Sequence, residues 1–160
     1  MTQRRNGFTL LELIVFITVV AILAAIALPR YAAMQRDARV AKMQAIFGAL
    51  RSSVAIARAR CELDQTNATS ARCTPVAGEV FMDGVWVDMQ TTYPAPTLSG
   101  IVAAARIDPL ADELKLLNPG PSSLVLQAQG AAESGACQIS YVLTPGEKTA
   151  PLLTLQTLGC

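Results

Sequence analysis

The sequence predicts an α+β fold, in which a long amino-terminal helix lies against a small antiparallel sheet. Residues 8–60 combine an apolar run with helical periodicity and contain one proline, Pro29. After Cys61 the composition changes to Thr, Asn, Pro and Gly, and short segments with strand-like alternation follow. A run of helix followed by a run of strands is typical of the α+β class.

The first element is the apolar run of residues 8–28. A helix of that length reaches about 31 Å, enough to cross the hydrocarbon core of a bilayer. Arg4 and Arg5 precede the run, so the positive-inside rule predicts a cytoplasmic amino terminus and export of the remainder. A secretory signal is cleaved after its apolar core, whereas here Gly7 ends a basic segment directly before that core. We therefore expect residues 1–7 to be a cleaved leader and the apolar run to be retained.

Glu12 places a carboxylate inside this run. Such a group costs about 2.5–3.5 kcal/mol at the bilayer centre and less near the interface, so a partner is expected. Cleavage after Gly7 frees the amino group of Phe8, which lies one helical turn from Glu12. Between subunits of a helix bundle, the same pair neutralises both charges. The alternative is an interfacial glutamate whose carboxylate reaches toward the cytoplasm.

The residues Gly-Phe-Thr-Leu-Leu-Glu at 7–12, followed by the apolar span and Pro29, resemble the type IV pilin signature. The resemblance implies that a prepilin peptidase cuts after Gly7 and methylates the amino group of Phe8. It also implies that Glu12 registers an incoming subunit against its neighbour's terminus. Pro29 matches a position where such helices kink or melt during assembly, consistent with its missing N–H. The implied partners are identical copies in a helical filament, the inner membrane, an assembly platform and an ATPase motor.

Residues 29–60 are predicted to form the amphipathic outer half of the helix. Apolar side chains recur there at steps of three and four residues, at Met43, Phe47, Leu50, Val54 and Ala57. This spacing places them on one face, which we expect to pack on a globular domain formed by residues 61–160.

The globular domain is predicted to contain two groups of strands. Val80–Met82 and Val85–Val87 form a hairpin with its turn at Asp83-Gly84. Residues 98–105 are expected to form a short helix. Residues 124–128, 137–143 and 152–158 then indicate an antiparallel meander, in which Cys137, Ile139, Tyr141 and Leu143 share one face by alternation.

The four cysteines suggest disulfides in an exported domain, with three possible pairings. A hairpin turn near Glu147-Lys148 would place Cys137 opposite Cys160, while Cys61 and Cys73 bracket a loop. We therefore predict the pairs Cys61–Cys73 and Cys137–Cys160. Zinc binding by four thiolates is the alternative, disfavoured because the chain has no Cys-x-x-Cys pair.

Composition disfavours several other functions. The chain has no histidine, which removes the commonest general base and most zinc sites. We expect no catalytic residues, cofactor or metal. The net charge is +1, so nucleic acid is a possible partner that the bulk charge does not indicate.

These observations favour a structural subunit of a type IV pilus, held in the bacterial inner membrane before assembly and at the cell surface afterwards. The run Tyr93-Pro94-Ala95-Pro96-Thr97 and the segment from Cys137 to the terminal Gly-Cys are similar to mannose-sensitive haemagglutinin pilins. Three alternatives stay open: a pseudopilin of a type II secretion system, a tip subunit acting as adhesin or DNA receptor, and a membrane-anchored enzyme.

Overall fold

The computed structural model describes residues 8–66, 72–74, 76–133, 135–147 and 149–160. In these ranges a long helix, α1 (Leu10–Gln65), is followed by a three-stranded and a four-stranded antiparallel sheet. The predicted α+β class is confirmed, although the sequence suggested one sheet rather than two. The chain divides into two compact units, one ending at Ala38 and the other covering Arg39–Cys160.

Helix α1 contributes to both units. It continues through Pro29 and ends at Gln65, five residues beyond the predicted end. In the second unit its buried residues recur at steps of three and four, at Met43, Ile46, Leu50, Ser53, Ala57 and Cys61. The predicted face is confirmed, since Phe47 and Val54 are half-buried and pack against the core. Ile46 and Ser53, which were not predicted, are also buried. The buried Ser53 hydroxyl donates a hydrogen bond to the Leu50 carbonyl oxygen at 2.9 Å.

The first sheet contains β1 (Ala77–Met82), β2 (Val85–Gln90) and β3 (Tyr93–Pro94). Asp83 and Gly84 have φ values of 45° and 83°, as the two central residues of a type I′ turn require. The turn sets Phe81 opposite Trp86, with ring centroids 5.1 Å apart. The predicted hairpin is confirmed, whereas β3 was not predicted.

A short helical segment, Leu98–Val102, follows β3 and matches the first part of the helix expected at 98–105. The hydroxyl oxygen of Thr97 accepts a hydrogen bond from the Gly100 N–H at 3.0 Å and caps the segment. Gly100 is required by close backbone approach, since a Cβ there would lie 2.1 Å from the Ala95 carbonyl oxygen.

The second sheet has the sequential strand order of a meander: β4 (Leu114–Leu117), β5 (Ser123–Ala128), β6 (Gln138–Val142) and β7 (Leu152–Gln156). The three predicted strands are confirmed, and β4 was missed. The predicted pairing of the last two strands was wrong by three residues, because Gln138 pairs with Gln156 and Tyr141 with Leu153. Cys160 still reaches Cys137 because the chain turns after β7, where the Gly159 N–H donates to the Ala136 carbonyl oxygen at 3.0 Å.

Two hydrophobic clusters hold the second unit together. The larger cluster joins Met43 and Leu50 of α1 to inward residues of the four-stranded sheet, including Ile139 and Tyr141. The smaller cluster joins Ala57 and Cys61 of α1 to Val80, Val87 and Met89 of the three-stranded sheet. Successive turns of one helix face thus cover first one sheet and then the other.

Candidate functional site

The amino-terminal part of α1 is apolar on all sides. Its large side chains are exposed, with exposed fractions from 46% for Ile14 to 76% for Phe8 just before the helix. In the part of the chain that the structure describes, α1 is the one helix long and apolar enough to cross a membrane. A helix that is apolar all round is stable when lipid or other protein surrounds it. This segment is therefore the first candidate site.

Thr9 starts the helix and positions Glu12. The Glu12 N–H donates to the Thr9 hydroxyl oxygen at 3.3 Å, and the Leu13 N–H donates to the Thr9 carbonyl oxygen at 3.2 Å. Thr9 is thus the N-cap, and Glu12 occupies the third helical position, in the Thr-x-x-Glu spacing typical of a capping box. A carboxylate in the first turn is stabilised by the positive end of the helix dipole. Thr9 was not among the residues predicted from the sequence, although the Thr-x-x-Glu spacing of residues 9–12 indicates such a cap.

The other predicted assembly residues lie on either side of this cap. Phe8 precedes it with an exposed ring, so its amino group would lie within one turn of Glu12 after cleavage. Gly7 and the rest of the leader at 1–7 lie outside the described residues, and the cleavage stays a prediction. Pro29 lies inside α1 and has no N–H to donate to the Ala25 carbonyl oxygen, so this turn lacks one backbone hydrogen bond.

Both disulfides lie in the second unit and join the pairs expected from the sequence. Cys61 is linked to Cys73 with a Cα–Cα distance of 5.3 Å, and Cys137 to Cys160 at 4.8 Å. All four residues are buried. The guanidinium of Arg39 donates to the Cys160 carbonyl oxygen at 2.9 Å, which holds the end of the chain against α1.

The carboxylate of Asp64 holds Arg72 and Cys73 against the end of α1. It accepts hydrogen bonds from the backbone N–H groups of Cys73 and Arg72, at 2.9 and 2.7 Å. These two hydrogen bonds lower the pKa of Asp64 below its ordinary value, and the bond from Cys73 has the larger effect.

Two tyrosines join the strands to each other and to α1. The buried Tyr141 hydroxyl donates to the Pro94 carbonyl oxygen at 2.7 Å, and burial raises the pKa of Tyr141 above its ordinary range. Arg58 of α1 donates to the Tyr93 hydroxyl at 2.6 Å, while its hydrogen bond to Glu62 raises the pKa of the guanidinium. These contacts fix the domain but bring together no nucleophile and base.

The described residues contain no group of three or more His, Cys, Asp or Glu side chains placed to hold a metal ion. The features that stand out are an apolar helix with one carboxylate and a domain with two disulfides. An apolar helix surface of this kind is suited to association with lipid or with other helices.

Comparisons with known proteins gave a family match at the amino-terminal segment and matches to relatives over longer stretches. The family described as the prokaryotic N-terminal methylation motif matches residues 2–28. Over 55 residues the chain is 44% identical to the type IV narrow pilus major component PilA5 of Thermus thermophilus, covering 34% of this chain and about half of that relative (47%). Over 129 residues it is 29% identical to a fimbrial protein of Moraxella nonliquefaciens, covering 70% of this chain and 84% of that relative. No solved structure matches the chain with significance.

Proposed function

We propose that this chain, which is type IV pilin-like in its amino-terminal motif and its relatives, is a structural subunit of a type IV pilus. In this proposal a prepilin peptidase cleaves after Gly7 and methylates Phe8, and the subunits polymerise through the apolar part of α1. The filament is displayed on the cell surface, where it serves adhesion, motility or DNA uptake.

The observation that carries the proposal is the exposed apolar segment of α1 with its single carboxylate at Glu12. Lipid covers the apolar side chains of a stored monomer, and neighbouring helices cover them equally well in a bundle. The carboxylate distinguishes the two environments, since a bundle buries it and so requires a cationic partner. The Phe8 amino group of a neighbour supplies that charge, at an interaction energy of about 4 kcal/mol for a 4 Å separation in a partly shielded site.

The Thr9 cap gives Glu12 a fixed starting position. With its N–H bound to the Thr9 hydroxyl, Glu12 is held in the first turn, and its exposed carboxylate can meet an amine that approaches from outside the helix. When the apolar part of α1 leaves the bilayer for the filament, its side chains exchange lipid contacts for helix contacts and bury no additional apolar surface. The proposal therefore includes an ATPase motor and an assembly platform in the inner membrane, which drive the extraction of the helix.

The proposal is tested by separating cleavage from assembly. Gly7→Leu should leave an uncleaved precursor in the membrane, detected by its larger mass. Glu12→Val and Glu12→Gln should be cleaved and inserted normally but yield at least tenfold less filament in sheared surface fractions. Asp37→Val is the matched control, because Asp37 is an exposed acid of α1 outside the apolar run.

Each outcome has a defined meaning. Normal cleavage of Gly7→Leu, or undiminished filaments with both Glu12 variants, would contradict the proposal. If the chain instead forms short periplasmic fibres, it is a pseudopilin of a type II secretion system. If it is a trace component of sheared filaments, it is a tip subunit, and binding of adhesion targets or DNA becomes its first role to examine.

The disulfides belong to the same proposal, because export exposes the domain to an oxidising compartment. Each closes a loop whose cross-link is worth about 3 kcal/mol in the chain-entropy treatment, with separations of 12 and 23 residues. Non-reducing peptide mapping of sheared filaments should recover Cys61 linked to Cys73 and Cys137 linked to Cys160. A peptide joining Cys61 to either carboxy-terminal cysteine would refute the pairing.

A further inference from the structure

We propose that a cleft beside Trp86 in the second unit binds a neutral carbohydrate, with the sugar ring packed on Phe81 and its hydroxyl groups bound by Arg60 and Asp64. The inference deepens the adhesion named in the proposed function, and it rests on that function for display of the cleft at the cell surface. Binding itself is a property of the second unit and is testable without a filament.

Two aromatic side chains stand on the outer side of the β1–β2 hairpin. Side chains alternate along a strand, so Val80 and Val87 pack in the smaller cluster while Phe81 and Trp86 lie on the opposite side. Phe81 and Trp86 are 48% and 46% exposed, and their ring centroids lie 5.1 Å apart. Aromatic surface left in water costs free energy that a ligand with an apolar face recovers. The outer side of this hairpin is therefore suited to contact such a ligand.

Polar side chains complete a cleft of about 240 Å³ beside this aromatic pair. The Arg72 guanidinium lies 4.5 Å from the Trp86 ring centroid and binds the Glu79 carboxylate at 3.0 Å. One face of Trp86 is thus covered, and the ring of Phe81 is the surface that meets the ligand. Phe81 and Arg60 also line a neighbouring cleft of about 420 Å³, into which a ligand of more than one unit extends.

The polar side of the cleft offers both donors and acceptors. Among the described residues, neither the Arg60 guanidinium nor the Trp86 indole N–H is hydrogen-bonded, so both are free to donate to a ligand. Asp64, which lies near Arg60, accepts from Arg72 and Cys73 through its Oδ2 atom and keeps Oδ1 as an acceptor. Because a hydroxyl group both donates and accepts, the hydroxyls of a sugar match this arrangement.

The charges that line the cleft cancel, since two guanidinium groups face two carboxylates. Nucleic acid gains much of its affinity from excess positive charge that neutralises its phosphates, and this cleft supplies none. A cationic ligand gains no advantage either. The volume lies below the range of about 300–1,000 Å³ for drug-sized pockets and suits one sugar ring. A neutral molecule with an apolar ring face and several hydroxyl groups uses the rings, the donors and the acceptors together.

The first disulfide holds the polar side of the cleft in place. Cys61 lies in α1 close to Arg60 and Asp64, and its partner Cys73 directly follows Arg72. Cys73 also pairs with Gly78 beside the hairpin. A site whose groups are fixed before the ligand arrives loses less conformational entropy on binding.

The test is binding of neutral trisaccharides to the full chain, solubilised in a detergent without a sugar headgroup. The probes are trisaccharides of hexoses, of N-acetylhexosamines and of deoxyhexoses, with single-stranded oligothymidylate as the anionic comparison. Trp86, the single tryptophan of the chain, reports binding through its fluorescence. At least one trisaccharide should change this fluorescence saturably at millimolar concentration, and isothermal titration calorimetry should give the same dissociation constant. No saturable binding of any trisaccharide would overturn the proposal.

Variants locate the site. Arg60→Gln, and Phe81→Leu, which keeps an apolar side chain opposite Trp86 but removes the ring, should each weaken binding at least tenfold. Arg51→Gln is the matched control, because Arg51 is another exposed arginine of α1 that does not line the cleft. Circular dichroism should show the same thermal unfolding for both arginine variants.

The remaining outcomes are also decisive. Equal affinity of the Arg60→Gln and Arg51→Gln variants would place the sugar elsewhere and refute this site. Oligothymidylate binding as tightly as the best trisaccharide would refute a neutral ligand in favour of nucleic acid. The measurement uses monomers, so it is unaffected if the chain forms no filament, and a failure to bind sugar leaves the proposed subunit role standing.

Discussion

Replacement of Leu50 by Ala tests whether α1 holds the second unit together. Leu50 is completely buried between α1 and the four-stranded sheet. The substitution removes three carbons, a transfer loss of about 2.4 kcal/mol at about 0.8 kcal/mol per methylene. The cavity left in a packed core adds to this, so we expect the free energy of unfolding to fall by about 3–4 kcal/mol.

Urea unfolding of the detergent-solubilised chain measures the effect, followed by fluorescence of Trp86, the chain's single tryptophan. Ile56→Ala is the matched control, because Ile56 lies on the exposed face of the same helix and should change stability by less than about 0.5 kcal/mol. The midpoint should fall for Leu50→Ala without a change in slope. Equal midpoints for the two variants would show that this helix face does not hold the unit together.

Two further predictions concern the polar contacts of the second unit. Tyr141→Phe removes the buried hydroxyl that donates to the Pro94 carbonyl oxygen, so the free energy of unfolding should fall by about 1–2 kcal/mol in urea titrations; no change would mean that this bond contributes nothing net. Because folding lowers the pKa of Asp64, its carboxylate contributes fully to the free energy of unfolding above the unfolded pKa of 3.8. That contribution is lost as the pH falls through the lower pKa of the folded chain. Unfolding midpoints of the wild type should therefore fall more steeply on acidification below about pH 4 than those of Asp64→Asn, and parallel pH profiles would disprove that role.

Several elements could be predicted because their causes are local. The apolar run at 8–28 and the acid within it follow from composition, and the two-residue turn at Asp83-Gly84 needs only residues that tolerate positive φ. The alternation from Cys137 to Leu143 correctly predicted the buried side of β6, since strand side chains alternate whatever the partner strand. The Cys137–Cys160 disulfide was predicted correctly even though the hairpin register used to predict it was wrong by three residues.

Other features were decided by contacts between distant parts of the chain. The short strand β4 has only four residues, Leu-Lys-Leu-Leu, which is too short a pattern to predict a strand, and it exists because β5 supplies its hydrogen-bond partners. Ser53 faces the core because the helix face is set by where both sheets lie. The bond from Tyr141 to Pro94 joins residues 47 apart, and no local pattern indicates such a pair.

The sequence by itself determined that this chain has an apolar run with one acid, preceded by a basic segment, and that a small α+β domain follows. These properties depend on residue type and spacing along one segment. Only the tertiary structure decided how one helix face is shared between two sheets. That arrangement depends on which distant segments pack together, and packing is a property of the whole folded chain.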